Sequence, residues 1–217
     1  MCRVRKLSLG LPAVCMDDML EYLNHYNLLP AQLDSDMTVS KYYQHAYLKE
    51  FKCPEIINRI LLKILNANPG FGAPLNEQES RDYLTASKLN VHLGTVDEKG
   101  DANIHPAWYF YDASNDKIYV ETSKQSKKTY NLRRKESVYF CIDDPNFPYK
   151  GVRGKGSVKI HEDINFNVPI AEKIMVKYLG NIEHPMAQAL LDMQKKGQSV
   201  ILEISPKYFS TWDDSKQ

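Results

Sequence analysis

The spacing of apolar residues changes near residue 89 of this chain. Before it, apolar residues recur every three or four positions, which is typical of amphipathic helices. The strongest helical segment is CPEIINRILLKILNAN, residues 53–68, and a further helix is predicted over residues 75–89 with Asn76 as its N-cap. From Asn90 onward apolar and polar residues alternate, which predicts β-strands.

Alternating segments from residue 90 onward are short and are separated by turn residues. DEKGD, with Gly100, predicts a hairpin, and helices are predicted near Ser126 and over residues 167–180 and 184–197. The predicted strands are NVHLGTV, ANIHPAWYFYD, KIYVE, SVYFCID, VRGKGSVKIHE and, as one or two strands, SVILEISPKYFSTWDD. The pattern therefore predicts a mainly β fold with helices, arranged as an antiparallel barrel over residues 73–217, after a helical N-terminal extension over residues 1–72.

Composition and charge narrow the class of protein. The 217 residues are 43% hydrophobic and 25% charged, as in an ordinary globular protein, and 28 Lys and Arg balance 27 Asp and Glu. This balance gives no overall field to attract nucleic acid or a membrane surface. The four cysteines have no CxxC spacing, and no stretch approaches the roughly 20 apolar residues of a membrane span. We expect a cytoplasmic protein with neither a metal site nor a membrane or nucleic-acid partner.

One segment concentrates hydroxyl and ammonium groups. ETSKQSKKTYNLRRK, residues 121–135, places Thr122, Ser123 and Ser126 beside lysines at the end of a predicted strand and the start of a helix. Such groups bind phosphate through charge-assisted hydrogen bonds and the helix dipole. A solvated surface loop and a nucleic-acid patch extended by residues 133–135 are the alternatives. The neighbouring strands favour phosphate.

Several motifs in the second part of the chain together resemble those of a known family. They are Leu93-Gly94-Thr95-Val96, Gly100, Pro106-Ala107-Trp108, Thr122-Ser123, Ser126-Lys127-Lys128 and Asn131-Leu132-Arg133-Arg134. In this order and spacing they resemble the pyridoxamine 5′-phosphate oxidase-like, FMN-binding split β-barrel family. The resemblance covers roughly residues 76–214, since GVRGKGSVKI and the terminal STWDD also fit the later strands of that family.

The resemblance implies a cofactor and the residues that hold it. Hydroxyl and lysine groups would bind the FMN phosphate, with Lys128 ranked first, and two strand segments would lie under the flavin ring. The cofactor-binding residues implied are Gly94, Thr95, Val96, Pro106, Ala107, Trp108, Thr122, Ser123, Ser126, Lys127, Lys128 and Trp212. For Trp108 and Trp212, packing in the core is an equal alternative.

The resemblance also implies a homodimer with flavin between the two barrels, and a flavin-dependent oxidoreductase of unknown substrate that needs no catalytic side chain. A deazaflavin-dependent reductase and a non-catalytic flavin carrier or sensor remain alternatives, as does haem binding through His105 or His184. The chain ends STWDDSKQ, without the Arg-Leu-Ala-Pro-like segment of true pyridoxamine phosphate oxidases. That substrate is therefore not expected.

Overall fold

The computed structural model describes residues 62–69 and 73–216, which form one antiparallel β-sheet with four helices. The strands are β1 (Lys63–Asn66), β2 (Val91–Val96), β3 (Ala102–Ala107), β4 (Phe110–Asp112), β5 (Lys117–Ser123), β6 (Ser137–Asp144), β7 (Lys150–His161) and β8 (Ser199–Asp213). The helices are α1 (Glu77–Ala86), α2 (Lys127–Arg134), α3 (Ile164–Leu179) and α4 (Pro185–Lys195).

The strands pair in the order β3-β2-β6-β7-β8-β5-β4. All of these pairs are antiparallel, whereas β1 pairs in parallel with the second half of β8, with Lys63 opposite Tyr208. Because side chains alternate between the two faces of each strand, one face of the sheet encloses the core. Val91 and Leu93 of β2 and Val138 and Ile142 of β6 are fully buried on that face.

The opposite face of the sheet is covered only in part. α3 and α4 pack together, and residues such as Ile174 and Leu191 form a second apolar cluster. Trp108 joins this cluster by stacking on Tyr178 of α3, with ring centroids 4.8 Å apart. The outer surfaces of β2 and β6 are left without such cover within the described residues, and Ile104 and Tyr139 are 73% and 57% exposed.

The structure confirms the predicted mainly antiparallel β fold, and most strands agree within a residue or two. ANIHPAWYFYD forms two strands, because the chain leaves β3 at Trp108 and rejoins the sheet at Phe110. α3 begins at Ile164, three residues before the prediction, since Asp163 caps it by accepting a hydrogen bond from the Asn165 backbone. The Asn76 cap is confirmed: its side chain accepts a hydrogen bond from the Glu79 backbone, and the Glu79 carboxylate accepts one from the Asn76 backbone.

The helix predicted over residues 53–68 is wrong at its C-terminal end. Lys63–Asn66 is a strand whose Ile64 packs against the core, so this part of the predicted extension belongs to the sheet. A short apolar run fits a buried strand as well as a helix, and pairing with β8 decides between them. The other helices predicted before residue 62 lie outside the described residues, so the separate N-terminal domain stays a prediction. None of the described helices is both long and apolar enough to cross a membrane.

Candidate functional site

The end of β5 and the start of α2 form a cluster of hydroxyl groups around one lysine. Ser126 caps α2, and its hydroxyl accepts a hydrogen bond from the Thr129 backbone. The Lys128 ammonium donates to Thr122 Oγ1 at 3.0 Å, and that oxygen lies 3.2 Å from Ser126 Oγ. The first backbone N–H groups of a helix have no partner within the helix, and the Ser126 hydroxyl satisfies one of them here.

Lys128 differs from the other lysines of this segment in its electrostatic environment. Lys127 pairs with Glu98 at 2.9 Å and Lys124 pairs with Glu162 at 2.5 Å, both at the exposed surface. Lys128 is half-buried, and no carboxylate among the described residues pairs with it. Burial lowers the pKa of Lys128, because the charged form loses hydration that its hydrogen bond to Thr122 does not fully replace. An anion at this position would restore the lost stabilisation.

A chain of hydrogen bonds lies beside this cluster, on the inner face of β2. Asn131 of α2 donates through Nδ2 to Thr95 Oγ1 at 2.9 Å, and Thr95 Oγ1 lies 3.1 Å from His105 Nε2. Burial and then the charge of Lys128 lower the pKa of His105, which favours its neutral form. The Oδ1 atom of Asn131 is buried without a partner in the described structure.

The outer face of β2 borders a cavity of about 550 Å³. This volume is typical of small-molecule sites, which span roughly 300–1,000 Å³. The cavity runs across β3, β2, β6, β7, β8 and β1. Its lining residues are Leu65, His92, Gly94, Ile104, Tyr139, Phe140, Cys141, Arg153, Gly154, Tyr208 and Ser210.

The register of the sheet orders the cavity wall into two rows. Cross-strand pairing aligns His92, Cys141, Arg153, Ser210 and Leu65 in one row, and Ile104, Gly94, Tyr139, Lys155 and Tyr208 in the next. The first row carries most of the polar groups, and the second row is mainly aromatic or apolar around Gly94. Burial, with the charge of Asp143, raises the pKa of the Cys141 thiol to about 11, so it stays protonated.

The structure brings together some of the predicted phosphate residues and separates others. Thr122, Ser126 and Lys128 form the cluster, whereas Lys127 is turned towards Glu98. Ser123 is exposed, and its hydroxyl accepts from the Gln125 backbone at 3.3 Å.

The residues predicted to lie under the ring fall on opposite faces of the sheet. Gly94 lines the cavity, and Val96 and Pro106 share its outward side by alternation. Thr95 and Ala107 face inward, and Thr95 is 1% exposed. The two tryptophans are elsewhere: Trp108 packs on α3, and Trp212 lies over Gly151, where a Cβ atom would come within 2.3 Å of the indole ring.

Sequence reasoning gave no site role to Asn131, Arg153 or Tyr139, and treated His105 only as an alternative haem ligand. Strand alternation alone places Arg153 and Tyr139 on the face opposite the core, but the cavity depends on the register between strands, which the sequence does not show. The other histidine of that alternative, His184, is exposed and caps α4. Within the residues described, no three His, Cys, Asp or Glu side chains are placed to hold a metal ion.

Comparison with known families identifies the group to which the chain belongs. The family model described as Pyridoxamine 5′-phosphate oxidase matches residues 77–213, more than half of the sequence. The chain belongs to the pyridoxamine 5′-phosphate oxidase family. The matched residues run from α1 to the end of β8, so they include both the Lys128 cluster and nearly all of the cavity wall.

One solved structure shares the fold of this member of the pyridoxamine 5′-phosphate oxidase family, and further solved structures are similar to it at lower scores. A conserved hypothetical protein from Mycobacterium tuberculosis is similar with a TM-score of 0.57 and 23% identity, over 67% of this chain and 88% of that one. An F420 reductase is similar with a TM-score of 0.48 and 24% identity, over 59% and 94% of the two chains. A FAD-binding protein from Mesorhizobium loti has a TM-score of 0.46 and 16% identity, over 64% and 95%. No curated protein sequence matches the chain.

The Lys128 cluster fits the phosphate of a nucleotide cofactor. A phosphate monoester presents three strong acceptor oxygens and about −1.5 to −2 charges at neutral pH. Lys128 supplies an ammonium group that no carboxylate of the described residues pairs with, and Thr122 and Ser126 supply hydroxyl donors. These are the donors that a phosphate requires, and they surround the N-terminus of a helix.

Proposed function

We propose that this protein binds FMN and is a flavin-dependent oxidoreductase. The observation that carries the proposal is the half-buried Lys128 ammonium, hydrogen-bonded to Thr122 and not paired with a described carboxylate, at the N-terminus of α2. Membership of the pyridoxamine 5′-phosphate oxidase family supports it.

The phosphate of the cofactor would contact Lys128, Thr122 and Ser126. Thr122 Oγ1 and Ser126 Oγ now share hydrogen bonds with each other and with Lys128 and Thr129, and each hydroxyl is able to rotate its proton towards an anion. Lys127 would contribute only through its charge, since its ammonium pairs with Glu98 at the surface. Lys128 is therefore expected to make the largest contribution to cofactor affinity.

The flavin ring would lie in the cavity on the outer face of β2. Gly94 leaves the backbone of β2 accessible there, and Tyr139 and Ile104 offer an exposed apolar surface. A bound flavin supplies hydride and electron transfer. The chain's own residues would position the ring and exclude water from it.

The same surface supports the proposal of a homodimer. Ile104, Tyr139, Phe147 and Tyr149 are each about half exposed or more. Pairing two copies through this face would remove these side chains from water and enclose the cavity between two barrels. Exposed apolar surfaces of this kind are typical of protein–protein interfaces.

The experiment that tests the proposal compares two neighbouring lysines. The purified full-length protein is expected to show the two visible absorption bands of oxidised flavin, or to take them up with added FMN, and to release them on denaturation. Lys128→Ala is expected to weaken FMN binding about 10- to 150-fold, because a hydrogen bond to a charged group contributes about 1.5–3 kcal/mol. Lys127→Ala is the matched control and is expected to change the affinity only slightly.

Three results would contradict the proposal. FMN binding that is equally tight in Lys128→Ala and the parent protein would show that the phosphate lies elsewhere. A single band at shorter wavelength would indicate deazaflavin. If the protein shows no visible band and takes up no added FMN, it does not bind this cofactor.

A further inference from the structure

Among the described residues that line the cavity on the outer face of β2, Arg153 carries a positive charge and none is a carboxylate. The eleven lining residues also include His92. Lys155, the Cα partner of Tyr139, extends the positive charge along the rim, with its ammonium 5.2 Å from the centre of the Tyr139 ring. An uncharged ligand would form no ion pair with Arg153 or Lys155.

Arg153 is available for a ligand. The guanidiniums of Arg81 and Arg133 form ion pairs with Asp116 and Glu162, whereas Arg153 pairs with no carboxylate in the described part of the chain. Its guanidinium carbon lies 6.0 Å from the centre of the Trp212 ring, at the outer limit of a cation–π contact. The aromatic ring thus flanks the guanidinium without using its hydrogen-bond donors.

Asp143, an acidic side chain on this face, forms no ion pair with Arg153 in the described structure. It lies 3.8 Å from His92 Nδ1 and 3.6 Å from Cys141 Sγ. Cys141, which stands between His92 and Arg153 in the register of the sheet, is a neutral thiol. Arg153 is therefore the permanently charged group of the polar row.

We propose that the substrate of this protein has an apolar, ring-sized body and a carboxylate, and that Arg153 selects the carboxylate. The body would lie against the flavin ring, which would occupy the row formed by Ile104, Gly94 and Tyr139, and the carboxylate would reach Arg153 on the neighbouring row. The planar guanidinium matches a carboxylate with two parallel hydrogen bonds. This inference rests on the proposed function, because that function makes the cavity the place where a substrate meets the cofactor.

The test uses two probes that differ in charge and hardly in shape. Benzoate and benzamide are titrated calorimetrically into the full-length protein, with and without FMN. The parent protein is expected to bind benzoate at least 10-fold more tightly than benzamide, because a hydrogen bond to a charged group is worth about 1.5–3 kcal/mol. Arg153→Met is expected to abolish that preference. Arg134→Met is the matched control, since Arg134 is exposed, has no described carboxylate partner and does not line the cavity.

A second variant and the flavin spectrum distinguish failure of the carboxylate site from failure of the proposed flavin function. Arg153→Lys keeps the charge without the planar fork and is expected to retain an intermediate preference, and circular dichroism confirms that both variants fold. Equal binding of the two probes by the parent protein, or a preference unchanged in Arg153→Met, overturns the inference. A benzoate preference that needs Arg153 in a protein that takes up no FMN supports the anion site and contradicts the proposed function instead.

Discussion

Glu121 lies one residue before Thr122 on β5, but its side chain faces the other side of the sheet. Strand alternation places it on the same face as Tyr119, whose ring packs at 6.4 Å from Phe166 of α3. One of its carboxylate oxygens is buried without a partner in the described structure. Burial raises the pKa of Glu121 to about 7, because the ionised form is poorly solvated there.

This carboxyl makes stability depend on pH in a defined direction. Its pKa is higher in the folded state than in the unfolded state, so the folded protein retains a proton that the unfolded chain releases. The free energy of unfolding therefore falls as the pH rises from about 4.5 to about 7, and does not change further above that range through this group.

Glu121→Gln should remove this pH dependence. Relative to the parent protein, the variant is expected to gain about 2–3 kcal/mol of stability between pH 4.5 and pH 7, because the amide cannot ionise. Urea denaturation at a series of pH values measures the difference. Parallel stability curves for the two proteins across this range would show that Glu121 is solvated in the folded state.

Among the elements, α1 and the turn between β4 and β5 are joined by a half-buried ion pair. Arg81 of α1 donates two hydrogen bonds to the carboxylate of Asp116, each 2.9 Å long. The hydroxyl of Tyr111 donates to the same carboxylate. Asp116 has a φ of 55°, a left-handed conformation that Asp and Asn tolerate better than most residues. Asp116 thus has two roles: its backbone forms the turn, and its carboxylate binds Arg81 of α1.

Asp116→Asn is expected to destabilise the protein by about 3 kcal/mol. Asn tolerates the same backbone conformation, so the change isolates the loss of the charge and leaves the Arg81 guanidinium without its buried partner. Glu77→Gln is the control, because Glu77 pairs with the same guanidinium at the surface and should cost less than about 1 kcal/mol. Thermal or urea unfolding of both variants measures the difference, and equal losses would contradict a special role for the buried carboxylate.

The elements also show how far the sequence predicts this fold. Alternation was sufficient for β2 and β6, because each has one buried face and one more exposed face. It failed at Lys63–Asn66, where a four-residue segment with two apolar residues becomes a strand only through pairing with β8, about 145 residues later in the sequence. The same limit applies to the candidate site. Lys128 is evident from local chemistry. Three other features depend on tertiary contacts: the lack of a described carboxylate beside Lys128, the buried Asn131 oxygen without a described partner, and the cavity around Arg153.

On the scale of the whole molecule, β2 separates two chemical environments. Its inner face carries Thr95 in a buried hydrogen-bond chain, and its outer face carries Gly94 in the cavity. The two faces of β2 therefore carry different chemistry, with polar hydrogen-bonded side chains on the inner face and a mainly apolar wall on the outer face.

If two copies pair through the outer face, a charge there should separate them. Ile104→Lys is expected to convert a dimer into a monomer and to weaken FMN retention at the same time, because Ile104 is 73% exposed and lines the cavity. Val176→Lys is the control, since Val176 is 47% exposed on α3 and does not line the cavity. Sedimentation velocity and the flavin spectrum measure the two effects. A parent protein that sediments as a monomer, or an Ile104→Lys variant that remains a dimer, would contradict the proposed dimer.

The central position of β8 has a consequence for biosynthesis. β8 is the last strand of the barrel, and it pairs with β1, β5 and β7. While a ribosome is still translating the residues before it, the edges of these three strands have no β8 to pair with. Unpaired strand edges promote aggregation in partly folded chains. The barrel therefore closes only after its final strand has been synthesised, so the yield of soluble protein in a cell depends on how well the incomplete chain is protected until then.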